Sequence, residues 1–297
     1  METHASDMAE AAEALRRRFL ANRPVRTASL IVTLFGDAIV PRGGELSIRA
    51  LIDLMGGLGI EAGAVRTAMS RLGADGLFVK RSVGKRPRYR LSGSAERTFA
   101  GAFRRVYAGE RPAAGGGFRI AIVPAQAKKA LDVEDLAAAG YRSFVPGVFV
   151  APASVSPARL PAGAFLLDAS ADDETTRRIA TDILGMAGIT EAYRRFVGDH
   201  VALAGAIGGG AGLRPADAFA LRILSVHAFR RIVIRDPGLP EDLLPPDRPD
   251  RQARGLVAAL YAALAEASEV HLDQVAAADA EPLTPSVIDL ASRFRGL

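Results

Sequence analysis

Between residues 80 and 90 the chain carries Lys80, Arg81, Lys85, Arg86, Arg88 and Arg90, a density of cations suited to phosphate oxygens. Just upstream, a helix with about 100° per residue would display Gly63, Thr67, Ser70 and Ala74 on one face, with Arg66 and Arg71 beside them. Small outward residues let a helix backbone approach base edges, and Arg, Thr and Ser can donate to bases or phosphates. The chemistry these residues suit is recognition of double-stranded DNA. Arg66, Thr67, Ser70 and Arg71 would address the major groove, and Lys80, Arg81, Lys85, Arg86 and Arg88 the backbone.

Two helices and a hairpin must position them. Ser47 is suited to cap a first helix in which Ile48, Leu51, Ile52 and Met55 share a buried face, ended by Gly56, Gly57 and Gly59. Val65, Ala68, Met69 and Leu72 give the second helix its inner stripe, and Gly73 and Gly76 end it. Leu77, Val79, Tyr89 and Leu91 then alternate with Phe78, Lys80, Arg88 and Arg90, the period-two pattern of paired strands around Gly84. Helix, glycine turn, helix and basic hairpin in this order predict a winged helix-turn-helix. A solvated charged hairpin beside an ordinary helix pair is the alternative.

The rest of the chain fills in the architecture. A helix is expected at Thr27 to Ala38, an amphipathic helix or a disordered tail at Met8 to Leu20, and a helix capped by Ser94 after the hairpin. Residues 110–117 form the best linker. Strands are expected at Phe118 to Val123, Tyr141 to Val145, Val148 to Ala151 and Ala164 to Asp168, with a helix at Ala125 to Ala139. Helices at Thr190 to Val201, Pro215 to Ile234 and Arg251 to Ala267 dominate the remainder. The fold class is α+β and multi-domain: a tail over 1–24, a DNA-binding domain over 25–111, a small α+β domain over 118–170 and a helical domain over 171–297.

The net charge of +5 comes from the front of the chain, since residues 112–297 carry an acidic balance. With no cysteine there are no disulfides, Cys-ligated zinc or thiol nucleophiles. No uninterrupted apolar run reaches the ~20 residues of a membrane span, and no signal peptide opens the sequence. No membrane partner and a cytoplasmic address are therefore expected. His4, His200, His227 and His271 lack paired metal-ligand spacing, and Gly208 to Gly212 lacks the Lys and Ser/Thr of a phosphate loop. No Gly-x-Ser-x-Gly elbow occurs. No metal, cofactor or catalytic residue is expected, and the chain is not read as an enzyme.

Two blocks resemble a known family. Ser29-Leu-Ile-Val-Thr-Leu-Phe-Gly-Asp37, Arg42-Gly-Gly-Glu45, Gly59-Ile60, Ala64-Val-Arg-Thr-Ala68 and Ser70-Arg-Leu72 are similar to the PaaX-type repressors of phenylacetate catabolism. So are His227, Arg230-Arg-Ile232, Arg235-Asp-Pro-Gly-Leu-Pro240, Leu243-Leu-Pro245 and Leu260-Tyr261, with Tyr141 and Val145-Pro-Gly-Val-Phe149 between the blocks. The resemblance covers residues from about 25 to about 270. It implies a winged-helix domain, a ferredoxin-like (Cas2-like) middle domain and a helical C-terminal domain. It also implies a homodimer that binds a DNA operator and releases it when an aryl-CoA thioester such as phenylacetyl-CoA binds. A regulator answering a different acyl-CoA, or a DNA-binding interaction protein without an effector, is the alternative.

An acyl-CoA needs arginines for its phosphates and an apolar slot for its acyl group. His227, Arg230, Arg231, Arg235 and Tyr193 are the candidates for that effector site, against a structural role for the Arg-Asp-Pro turn and a core role for Tyr193. A Cas2-like nuclease would need a carboxylate at the end of the first strand of the middle domain. That strand ends Ile122-Val123-Pro124, without one.

Overall fold

The structure, a computed structural model, describes residues 2–21, 27–83, 86–109, 117–125, 136, 140–153, 155, 160, 162–208, 213–236, 249–279, 282–287, 290 and 293–294. It is α+β and mostly helical, with two small antiparallel sheets. Its contacts form two compact units that do not follow chain order. Unit 1 comprises Met1–Gly109, Arg195–Arg231 and Gln252–Leu297, and unit 2 comprises Glu110–Arg194 and Ile232–Arg251.

Unit 1 begins with α1 (Glu2–Ala21) and α2 (Thr27–Leu34). The chain continues from α2 through a π-helical turn at Phe35–Ile39 and a 3-10 turn at Val40–Arg42, so the helix expected to Ala38 changes pitch after Leu34. Gly36 sits where this turn closes on α5 (Gly93–Phe103). A β-carbon there would overlap the ring of Phe103, so only glycine permits the approach. Strand β1 (Glu45–Ser47) leads into α3 (Ile48–Gly57), whose N-cap Ser47 accepts the Ala50 amide through its hydroxyl at 3.0 Å. Gly59, at φ +78°, turns the chain into α4 (Ala62–Ala74).

Strands β2 (Phe78–Val83) and β3 (Arg86–Leu91) pair antiparallel, and β1 adds to the other edge of β3. The hairpin is therefore one side of a three-stranded sheet, with the order β1-β3-β2. Its phase corrects the expectation for β2. Phe78, not Val79, points inward, Phe78 being 3% exposed and Val79 42%, while Leu77, just before the strand, packs partly buried against the same core. Phe78 lies opposite Leu91 and meets Phe35 edge to face at 4.7 Å, which selects its side of the strand. The following helix is capped by Ser92, whose hydroxyl accepts the Ala95 amide at 3.2 Å, rather than by Ser94.

One core joins these elements to chain far downstream. Leu30, Leu34, Phe35, Leu51, Leu54, Val65, Met69 and Leu72 pack in the same cluster as Phe219, Ile223 and Leu224 of α8 (Pro215–Val233) and Leu272 of α9 (Pro249–Ala278). A second cluster seats Ala12 and Leu15 of α1 against Leu203 of α7 (Met186–Gly208), Leu221, Leu260 and Leu264. The salt bridge from Arg16 to Asp217 fastens α1 further. By length and composition α9 is apolar enough to cross a membrane, which the count of uninterrupted apolar runs did not register. Its stripe of Ala253, Val257, Leu260, Tyr261, Leu264, Ser268, Leu272 and Ala276 is buried on one face, the pattern of a core helix.

Unit 2 holds a four-stranded antiparallel sheet of β4 (Gly117–Ile122), β5 (Arg142–Val145), β6 (Val148–Pro152) and β7 (Phe165–Ser170), in the order β5-β6-β4-β7. One face packs Ala121, Phe149 and Ala151 against Leu136 and Tyr141. The other packs Phe118 and Val150 against Ala180 and Leu184, which follow α6 (Asp173–Arg178). The helix expected at Ala125 to Ala139 lies outside the described residues, except for its first residue and Leu136.

Candidate nucleic-acid interface

Helix α4 divides as its periodicity predicts. Val65, Ala68, Met69 and Leu72 are buried, while Gly63, Arg66, Thr67, Ser70, Arg71 and Ala74 are exposed. A face about three turns long, free of bulky apolar groups and flanked by two guanidiniums, is available to a groove. In the three-stranded sheet, cross-strand pairing places Arg81 opposite Arg88, Val79 opposite Arg90 and Glu45 opposite Arg90, so these side chains share the outer face. Lys80 is exposed on the face of Tyr89, beyond the core. Lys85 lies outside the described residues; Arg86 is described as part of β3 only.

The outer sheet face contains a carboxylate that inspection of the cations alone missed. Glu45 accepts from Arg81 Nη1 at 2.8 Å, lies 3.6 Å from Arg88 Nε and 4.0 Å from Arg90 Nη1. Arg88 also donates to the Glu45 carbonyl at 3.4 Å. Arg90 has a second acidic neighbour in Glu96, at 3.4 Å. The sequence signal for Glu45 was period two: it is the one acidic residue in a strand that pairs with an arginine-rich strand.

A buried ionic network ties the turn after α2 to the turn after α5, to α8, α9 and the C-terminal segment. Asp37 is fully buried. Its carboxylate accepts from Arg222 Nε at 2.8 Å, Arg293 Nη1 at 2.8 Å and the Tyr107 hydroxyl at 2.6 Å. Arg222, also fully buried, donates to Glu269 at 2.7 Å and to the Tyr261 hydroxyl at 3.0 Å, with its guanidinium over the Tyr261 ring at 4.7 Å. Glu269 also receives Arg42 at 2.6 Å, and Arg42 is paired with Asp273 as well. Burial alone would favour neutral Arg222, yet Asp37, Tyr261 and Glu269 outweigh it and hold the guanidinium charged. Burial and the Asp37 charge push the Tyr107 hydroxyl well up, so it stays a donor. The signal in the sequence was a lone Asp in Leu-Phe-Gly-Asp-Ala-Ile and a lone Arg in Phe-Ala-Leu-Arg-Ile-Leu, each requiring a partner once buried.

The five effector candidates are divided between the two units. His227 and Arg230 belong to unit 1 and converge on Thr33 of α2: His227 Nδ1 lies 2.8 Å from the Thr33 hydroxyl and Arg230 donates to it at 3.3 Å. The Thr33 hydroxyl donates to the Ser29 carbonyl at 3.0 Å, so the imidazole donates through Nδ1. Arg231 is exposed on α8. Tyr193 and Arg235 belong to unit 2, where the buried Tyr193 hydroxyl donates to Asp236 at 3.0 Å and Arg235 is exposed in the turn after α8.

Burial, with Arg230 and Arg231 nearby, pushes the His227 pKa down to about 3, so the ring is neutral at neutral pH. The unfolded imidazole titrates near ~6.5. Below that pH the unfolded chain takes up a proton that the native site refuses. Stability should therefore fall by up to about 1.4 kcal/mol per pH unit from this group alone, down to about pH 3. Urea midpoints measured from pH 7 to pH 4.5 should fall less steeply in His227→Gln than in the wild type. An identical slope in both would remove His227 as a source of acid sensitivity.

With this geometry in view, comparison with known proteins is direct. A family profile described as PaaX-like protein matches residues 26–95, and one described as PaaX-like protein C-terminal domain matches residues 185–274. The transcriptional repressor PaaX of Escherichia coli (strain K12) is 30% identical over 263 residues, 82% of this chain and 82% of that protein. The chain belongs to the PaaX-like family. Among solved structures, the uncharacterized protein Rv0674 from Mycobacterium tuberculosis is similar at TM-score 0.49 and 22% identity, covering 82% of this chain and 97% of that one.

The two segments by which the PaaX-like family is matched are bonded to each other here. Thr33, Asp37 and Arg42 lie in the first, and their partners His227, Arg230, Arg222, Glu269 and Asp273 in the second.

Proposed function

We propose that this PaaX-like chain is a DNA-binding transcriptional repressor of phenylacetate catabolism, acting as a homodimer and released from its operator by an aryl-CoA thioester such as phenylacetyl-CoA. The observation that carries the reading is the likeness to the Escherichia coli repressor over 82% of both chains. The exposed face of α4 and the arginines of the hairpin supply chemistry that fits it.

In this reading α2 to β3 is a winged helix-turn-helix, α4 is its recognition helix and the β2–β3 hairpin is its wing. The unit 2 sheet is ferredoxin-like, a reading supported by its strand order β5-β6-β4-β7 and fully antiparallel pairing. The role is binding rather than catalysis, in the cytoplasm, without a cofactor.

Effector contacts are assigned to His227, Arg230 and Arg231 in unit 1 and, separately, to Tyr193 and Arg235 in unit 2. Arg231 and Arg235 are exposed cations of a kind that suits phosphate, whereas His227 and Arg230 act through Thr33. A ligand that draws Arg230 away from Thr33 would loosen the link between α8 and α2. Through α2 it would alter the spacing of the recognition helices in the dimer.

Fluorescence anisotropy on DNA from the upstream region of the protein's own gene, at about 0.15 M salt with and without phenylacetyl-CoA, tests the reading. Tight binding reversed by the thioester, and not by free phenylacetate or CoA, is expected. Binding that no thioester disturbs would leave a DNA-binding protein without this effector, and absence of specific binding would remove the repressor. In the same assay Arg66→Ala should lower discrimination between operator and random DNA. Lys80→Ala should instead weaken both alike and reduce the salt slope by about 1.

A further inference from the structure

We propose that Glu45 is a resident competitor for phosphate on the outer face of the hairpin sheet, and that it limits the protein's affinity for DNA of any sequence. The inference rests on the DNA-binding reading above and adds to it a residue that acts against binding.

The geometry is that of an anion site occupied from within. Three guanidiniums, on Arg81, Arg88 and Arg90, point at one carboxylate from two strands, as they would at a phosphate oxygen pair. They differ in how freely they can leave it. The Arg88 side chain, 17% exposed, is the least solvated of the three; its Nε lies 3.6 Å from the Glu45 carboxylate, an ion-pair distance, and it donates to the Glu45 carbonyl at 3.4 Å. Arg81 and Arg90 are 61% and 40% exposed, and solvated ion pairs of this kind are individually weak. An incoming phosphate can therefore recruit Arg81 and Arg90, but Glu45 stays behind on β1, paired with β3 and beside Arg88, with its negative charge next to the newcomer.

A carboxylate at such a hub has two conceivable effects of opposite sign. It can hold the arginines ready for phosphate, or it can oppose phosphate. The second is favoured because the most exposed arginine, Arg81, makes the shortest of the three contacts, so its charge is the one most reduced. Glu96 does the same to Arg90 from the other side. The penalty falls equally on every DNA sequence, because phosphates carry no sequence information. An operator that also satisfies α4 can overcome it; random DNA cannot, so Glu45 widens the ratio of specific to non-specific affinity.

The test uses the full chain and its Glu45→Gln variant, which keeps the size of the side chain and loses the charge. Each is titrated onto a labelled random-sequence duplex and onto the operator duplex, from about 50 to about 200 mM salt. The variant is expected to bind random DNA about tenfold more tightly near 0.1 M salt, with a slope of log K against log salt steeper by about 1 to 2, one or two further phosphates being neutralised. Operator affinity should rise less, so discrimination falls. Arg81→Gln should cost more random-DNA affinity in the Glu45→Gln background than in the wild type; should Glu45→Gln perturb folding, Glu45→Thr, which removes the same charge with a good strand former, takes its place in both measurements. Unchanged or weaker binding of random DNA by folded Glu45→Gln, or equal effects of Arg81→Gln in both backgrounds, would overturn the inference while leaving the DNA-binding reading intact. A wild-type chain that binds neither duplex would overturn that reading, and this inference with it.

Discussion

Arg222→Ala is expected to destabilise the protein by about 3–5 kcal/mol, enough to lower Tm on the order of 10 °C or to render the chain insoluble. Arg222 is fully buried and is bonded to Asp37, Glu269 and the Tyr261 hydroxyl. Truncating it leaves Asp37 with Arg293 and Tyr107, leaves Glu269 with Arg42, and opens a void where the guanidinium stacked on Tyr261. The cost comes from the buried negative charge left behind more than from the lost attraction. Arg222→Lys should recover only part of it, since an ammonium cannot span Asp37, Glu269 and the tyrosine with the planar fork of arginine. Adding Asp37→Asn to Arg222→Ala should not restore the wild type, because Arg293 then loses its own buried partner. Thermal melts of the three variants decide: an Arg222→Ala protein that melts within about 2 °C of wild type would mean that the network does not carry this load.

The largest functional effect is expected from Ser70→Glu. Ser70 is exposed in the middle of α4, and glutamate is a good helix former, so the fold should survive within about 0.5 kcal/mol. The new carboxylate would stand on the face presented to the groove, among bases and phosphates, where like charge costs several kcal/mol. Operator affinity should fall at least about 100-fold, while Ser70→Ala, which adds no charge, should lose little. A Ser70→Glu protein that keeps its Tm and also binds the operator like the wild type would exclude α4 as the recognition helix.

The face of α4 was legible in the sequence because its apolar residues recur with a helical period that no other element contradicts. The same was true of Ser47, whose capping role depends on residues only three positions away. The phase of β2 was not legible, since Leu77, Phe78 and Val79 are all apolar and local alternation cannot choose among them. The choice came from Leu91 across the hairpin and from Phe35, far back in the chain. Ser92 and Ser94 were equally plausible caps by type. The first was used because β3 ends at Leu91 and the helix begins at Gly93. Asp37 and Arg222 are single charges in apolar stretches, and nothing local says that two charges 185 residues apart are each other's partners. The same distance explains the effector candidates. His227 and Arg230 share one side of α8, as their spacing implied. What they face is Thr33, which the spacing of residues within α8 cannot name.

The assembly of unit 1 from three distant stretches has a consequence for how the protein is made. A ribosome adds about 5–20 residues per second, so tens of seconds separate the emergence of the hairpin from that of Arg293. Until Arg222 emerges Asp37 has neither of its arginines and until Arg293 emerges it has only one, while Leu30, Leu34 and Phe35 await first Phe219 and Ile223 and then Leu272. The surface assigned to DNA therefore matures only after α8, α9 and Arg293 have been made, although its own residues precede them. A nascent or prematurely terminated chain would present the cations of the hairpin on a scaffold that cannot yet hold them in register. In the finished protein, residues translated well after the hairpin complete the support for a surface encoded upstream of them.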